Sequence, residues 1–196
     1  MQIKPLFRPL LASSLLLAST LSTAALIQTT QISASTSLMP LTVGSQTFTI
    51  DQLHDGITAD SPFNGFASNS KSGSITLALD QVYDLQSFVL WNDINVFNEG
   101  VRSFELHFLD AGNTQIGSSG LLSAVSQLAP QTYSFGTVAG VKSVVLDVST
   151  ASLQIEIREL AFNGNVSAVP EPASAVLVLA GLAAIAASAR RRAPRG

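Results

Sequence analysis

The chain has 196 residues, 12% of them charged and 46% hydrophobic, with two histidines, one tryptophan and no cysteine. Absence of cysteine excludes a disulfide scaffold, an iron–sulfur cluster, a thiolate zinc site and a cysteine nucleophile. Residues 26–168 carry Lys71, Arg102, Lys142 and Arg158 against twelve carboxylates, a formal charge of −8, while both ends are basic; so acidic a body excludes nucleic acid as a partner.

In chain order, Lys4 and Arg8 precede an apolar run from Leu10 to Leu21 and the small residues Ser22, Thr23, Ala24 and Ala25. That order predicts a secretory signal peptide over 1–25, removed by signal peptidase after Ala24 or Ala25. The run is short for an uncleaved anchor helix.

Residues 26–166 read as one β domain. Ile75, Leu77 and Leu79 alternate with Thr76, Ala78 and Asp80; Phe104, Leu106 and Phe108 alternate with Ser103, Glu105 and His107. The same period of two covers Val144–Ser149 and Leu153–Arg158, which puts Gln154, Glu156 and Arg158 outward. Leu160 and Phe162 take the opposite phase, so a bulge is expected near Arg158-Glu159. Further strands are expected at Thr47–Asp51, Ser87–Trp91, Gln115–Ser118 and Gln131–Phe135. Asp110-Ala111-Gly112-Asn113 predicts a hairpin turn with Gly112 at positive φ, Gly136 and Gly140 predict turns, and Asp60-Ser61-Pro62 breaks the chain before Phe63. No helical period longer than about two turns precedes residue 173. Many short strands with regular turns predict an antiparallel β sandwich.

A linker over 167–172 leads to Ala173–Ala189, a run without charge that spans roughly 25 Å as a helix, near the lower limit for a bilayer core. Arg190, Arg191 and Arg192 follow in a basic tail, 190–196, and stop the transmembrane helix at the cytoplasmic face. Basic ends inside leave the acidic middle outside.

Val169-Pro170-Glu171-Pro172, the apolar run and the arginine cluster together resemble the PEP-CTERM sorting signal of Gram-negative bacteria. That resemblance implies recognition of the tripeptide by an exosortase, a transient inner-membrane anchor and removal of the tail. It also implies delivery to the cell surface or the extracellular matrix, commonly beside exopolysaccharide genes.

A second set of short motifs spans residues 31–164: Leu53-His54-Asp55-Gly56, Phe66-Ala67-Ser68, Gly73–Leu77, Leu90-Trp91-Asn92, Gly100-Val101 before Phe104–Leu106, and Ile157–Gly164. Together they resemble the discoidin or galactose-binding-like jelly roll. The tryptophan frequent after the Asp-Gly loop is replaced here by Phe63 or Phe66. Bacterial relatives often hold a structural calcium in that loop, which implies Asp55 and Glu159 as carboxylate ligands. Thr58 and the backbone from Leu53 would then contribute further oxygens toward the about six to eight that calcium takes. On the other side, Asp55-Gly56 is a simple turn and Glu159 a solvated bulge residue.

Beside Trp91, the loop residues Asn92, Asp93, Asn95, Phe97 and Asn98 combine amides, a carboxylate and an aromatic face, a composition that suits a glycan. The alternative is a polar loop with Trp91 in the core. No nucleophile elbow, metalloprotease, phosphate-loop or dinucleotide motif is present. His54 is expected in a loop, His107 outward on a strand, and nothing marks a cleft between Glu156 and Glu159. These features predict a secreted, non-enzymatic protein that binds exopolysaccharide or another glycan. A structural matrix or biofilm protein without a specific ligand is the second expectation, and a hydrolase the third.

Overall fold

Alternating apolar side chains form most of the structure, because a half-buried strand needs one face in the core and the other in water. The computed structural model describes residues 24–59, 64–93, 99–125, 127–151, 154–168 and 180–182. In chain order its strands are β1 (Ala25–Leu26), β2 (Ile32–Thr36), β3 (Thr42–Val43), β4 (Gln46–Thr47), β5 (Phe66–Ser68) and β6 (Ser72–Asn92). They continue with β7 (Ser103–Leu109), β8 (Gln115–Ser118), β9 (Leu122–Ser123), β10 (Gln131–Ser149) and β11 (Ile155–Val166). Short 3-10 turns occupy Thr29–Gln31 and Ile50–Leu53.

All pairings are antiparallel. The long strands β6 and β10 pair twice, Ser72–Ala78 with Ser143–Ser149 and Ser87–Leu90 with Gln131–Ser134, with register shifts between. The first stretch lies between β2 and β7; the second continues onto β11, which carries β1 and β5 at its far edge. The result is an antiparallel sandwich whose two layers share β6 and β10. Its core brings Phe88 to 5.4 Å from Phe104 and 5.3 Å from Phe162, ring centre to ring centre, with Tyr133 at 4.8 Å from Phe104. Phe88→Ala opens the middle of this cluster and is expected to cost about 3–5 kcal/mol in chemical denaturation.

The expected alternation holds for Ile75, Leu77 and Leu79, for Phe104, Leu106 and Phe108, and for Val144, Leu146 and Val148, all buried. The bulge is also present: Ile157 opposes Asn92 and Glu159 opposes Trp91, which leaves Arg158 as the extra residue.

Four local expectations are corrected. The expected strand Thr47–Asp51 goes no further than Thr47, the end of β4; Gln52 accepts a hydrogen bond from the Thr49 amide at 2.8 Å, and Leu53 anchors a 3-10 turn in the core. Gly136 (φ +75°) and Gly140 (φ +80°) bend β10 as irregularities within the strand instead of ending it. In the hairpin Asn113, not Gly112, takes the positive φ, because Asp110 Oδ1 accepts the Gly112 and Thr114 amides and holds the turn around it. Finally, Glu156 and Arg158 do not face water: loops at their end of the sandwich cover the outer face of β11, leaving Glu156 9% and Arg158 2% exposed.

The sandwich has two ends. At one, Thr36 Oγ1 donates to the Ser74 carbonyl, the Leu41 amide to Ala67 and the Arg102 amide to Ser149, so residues 37–42, 54–59, 68–72, 92–93, 99–102, 149–151 and 154–155 gather there. At the other, the Ser167 amide donates to Val82 and β1 pairs with Gly164, so β1 and the end of β11, the two ends of the described domain, lie together. Residues 1–23 of the expected leader 1–25, the Pro170–Pro172 tripeptide, Val169 and Arg190–Arg192 lie outside the described residues, as do Asp60–Phe63. Of the expected helix 173–189, residues 180–182 are described and are helical. Among the described residues no helix is long and apolar enough to cross a membrane.

Candidate functional site

Three features meet at the end opposite the termini. The first is a groove of about 570 Å³ between the loop after β2 and the turn after β5, lined by Ser37–Thr42 and Ser68–Ser70. Leu38 sits in it because Gly73 has no side chain; a Cβ there would approach Leu38 Cδ2 to 2.4 Å. The Leu38 amide donates to Thr36 Oγ1 at 3.1 Å, which fixes the loop's departure from β2. Met39 is 83% exposed beside Pro40, while Ser68 and Ser70 hydroxyls lie 3.3 Å apart on the facing wall. The groove thus joins an aliphatic floor to a row of hydroxyls and the Asn69 amide.

The second is the meeting of the 54–59 loop with β11. Gly56 (φ +83°) donates its amide to Glu159 Oε2 at 3.2 Å, while Asp55 Oδ1 accepts the Ile57 amide at 2.8 Å. Burial first, then the charge of Asp55, pushes the Glu159 carboxyl up to about 8, and the two carboxyls share a hydrogen bond. Glu159 Oε1 is buried without a partner. The expected pair, Asp55 and Glu159, is therefore brought together, and the solvated-bulge alternative for Glu159 is excluded by its burial. The Thr58 carbonyl faces Arg158, whose Nη1 donates to it at 3.1 Å. Two carboxylates with one orphaned oxygen suit a hard cation, which would draw its remaining ligands from backbone carbonyls. Among the described residues no cluster of three or more His, Asp or Glu side chains forms a metal cage.

The third is the 92–101 loop, and it differs from expectation. Asn92 is fully buried, and its amide is spent on Val101: Nδ2 donates to the Val101 carbonyl at 2.8 Å and Oδ1 accepts the Val101 amide at 2.9 Å. It closes the neck of the loop and, fully buried, lies out of a sugar's reach. Asp93 is buried, and Trp91 is half-buried, out of phase with the core residues Phe88 and Leu90. Asn95, Phe97 and Asn98 lie outside the described residues. Burial, reinforced by the charges of Glu99 and Asp93, raises Glu156 to about 7.

Arg158 joins these parts. Its guanidinium donates to the carbonyls of Thr58, Leu128 and, at 3.5 Å, Asn92. Neither Arg158 nor the Ser37–Thr42 groove was singled out by the sequence reading. The signals were a lone cation between the carboxylates of the strand segment Ile155–Phe162, and four successive nonpolar residues, Leu38–Leu41, outside any strand period. His54 caps the Ile50–Leu53 turn, and His107 faces outward on β7, 3.1 Å from Asp147.

Compared with known proteins, residues 168–192 match the PEP-CTERM protein-sorting motif, which implies export and exosortase-mediated processing. No curated protein matches the chain. The sandwich is similar to solved carbohydrate-binding modules of family 32 and to F5/8 type C domains. CpGH89CBM32-5 of Clostridium perfringens, solved with GalNAc-β-1,3-galactose, is 17% identical, with a TM-score of 0.59 over 70% of this chain and 99% of that one. The family 32 module of C. perfringens NanJ, solved with galactose, is 13% identical, with a TM-score of 0.57 over 72% and 98%. An F5/8 type C domain from Bacteroides fragilis is 15% identical, with a TM-score of 0.55 over 74% and 98%. The domain therefore has the discoidin-like sandwich fold.

Proposed function

We propose that this is an exosortase-sorted surface or matrix protein of a Gram-negative bacterium whose sandwich binds a glycan without turning it over. The observation that carries this function is the groove over Leu38–Leu41, placed at the end of the domain that points away from the tail. A sugar presents a CH face and a rim of hydroxyls; the aliphatic floor suits the first, and Ser37, Thr42, Ser68, Asn69 and Ser70 suit the second. The glycan ligands of the similar modules give independent support. Glu156 and Glu159 are buried beside Asp93, Glu99 and Asp55 and do not line the groove, which favours binding over hydrolysis.

Titration calorimetry against galactose, GalNAc-β-1,3-galactose and the producing organism's own exopolysaccharide tests this. Saturable binding is expected to at least one, and Met39→Asp with Asn69→Ala is expected to weaken it at least tenfold. No binding across the panel contradicts glycan recognition and favours a structural matrix protein.

The Asp55–Glu159 pair is proposed to hold one structural calcium ion, which would neutralise the two carboxylates and fasten the 54–59 loop to β11. Added calcium is expected to raise Tm and chelator to lower it; a Tm indifferent to both excludes the ion. For sorting, Glu171→Ala is expected to leave the tail uncut, measured as retained mass in membrane fractions.

A further inference from the structure

The exit of the chain from the fold leaves little room. Ser167 ties the end of the described domain down: its amide donates to the Val82 carbonyl at 2.9 Å, and its hydroxyl to Asp84. The matched sorting motif begins at the next residue, 168. From Ser167, Glu171 is four residues away and Ala173, where the apolar run starts, is six; fully extended, these reach at most about 14 Å and 21 Å. Any enzyme that acts on the motif at the membrane surface must therefore work against the terminal end of the folded domain.

That end bears a shallow cleft of about 200 Å³ between β1 and the end of β11, lined by Ala25–Ile27, Gln31, Tyr83 and Gly164–Val166. Two of its aliphatic side chains, Leu26 (47%) and Val166 (52%), are exposed. Beside it, Tyr83 donates to Asp80 Oδ1 at 2.7 Å, and Gln31 Nε2 donates to the Tyr83 hydroxyl at 2.8 Å. Asp84 lies one residue further on, its Oδ1 accepting the Gly140 amide at 3.0 Å. An apolar cleft flanked by carboxylates is repelled by anionic lipid headgroups and suits a protein surface.

We infer that the Leu26–Val166 cleft is the surface on which the membrane enzyme that processes the motif rests while it cuts. This rests on the sorting function proposed above. The short tether makes the contact compulsory, so the domain's terminal end is part of what the enzyme meets, beyond the tripeptide itself.

The full chain expressed in its exosortase-bearing host tests the contact, with precursor and processed forms separated by immunoblot. Leu26→Glu with Val166→Glu is expected to raise the uncut fraction at least fivefold, while Leu121→Glu, at a 75% exposed position just before β9, leaves it unchanged. Insertion of ten Gly/Ser residues between Ala168 and Val169 frees the domain from the enzyme and is expected to restore cutting of the double variant. Wild-type rates in the double variant would overturn the contact. So would a block that persists with the spacer, since that marks a folding or export fault. Binding of the purified full chain to phosphatidylglycerol–phosphatidylethanolamine vesicles, lost in the double variant, would assign the cleft to lipid and overturn it as well. A wild-type chain left uncut would instead refute the sorting function itself.

Discussion

Arg158→Met is expected to lower stability by about 1–3 kcal/mol, because it removes a donor from the buried Asn92 carbonyl and from the carbonyls of half-buried Leu128 and solvent-exposed Thr58, and an unpaired buried acceptor costs about 1–3 kcal/mol. Relief from burying a cation returns part of that loss. The three carbonyls belong to three different segments, so the variant should also loosen residues 54–59 and 127–131 ahead of global unfolding. Arg158→Lys should rescue little, since one ammonium on a flexible stem cannot span the fork of a guanidinium. Urea denaturation gives the global loss and amide exchange the local one. Unchanged stability in Arg158→Met would mean that the loops are held by other contacts.

In calcium-free buffer the protein is expected to lose stability as pH rises from about 5 to 8. Burial and neighbouring carboxylates raise Glu156 to about 7 and Glu159 to about 8, against 4.5 when unfolded. Between those values the folded state binds more protons than the unfolded one, so stability is fully present below about 4.5 and falls as each folded value is crossed. Glu159→Gln should flatten the upper part of that profile and stabilise the calcium-free protein at pH 8 by about 2 kcal/mol, a figure reduced because Asp55 is exposed to solvent. With calcium the sign reverses for the wild type: the ion favours both carboxylates ionised, and stability at pH 8 should recover. Thermal melts at pH 5 and 8, with and without calcium, separate these cases. A flat profile without calcium would show that Glu159 titrates normally.

Much of the fold was legible because strand burial is a local, period-two property. Ile75–Leu79, Phe104–Phe108 and Val144–Val148 announce their inner faces, and the phase change after Ile157 announces the bulge at Arg158. What β6 and β10 do was less visible. Gly136 and Gly140 look like turn residues, yet positive φ also serves a bend within a strand, and only pairing with β6 decides between them. The outer face of β11 misled for a related reason: alternation reports which face meets the core, but not whether loops distant in sequence cover the other.

The site divides along the same line. Asp55 and Glu159 were reachable through motif resemblance, although they are far apart in the chain. Asn92 has the right chemistry for a sugar, but its amide is needed by Val101 to close a loop neck. The groove escaped notice because its residues obey no period; Leu38 is placed by the absence of a side chain at Gly73, which no local pattern signals.

The most direct trial is chemical-shift mapping of the isotopically labelled chain during titration with whichever panel glycan binds. Perturbations concentrated at Ser37–Thr42 and Ser68–Ser70, saturating with the calorimetric Kd, are the predicted result. Saturable binding that moves only the 54–59 loop or the terminal cleft, with the groove silent, would contradict it.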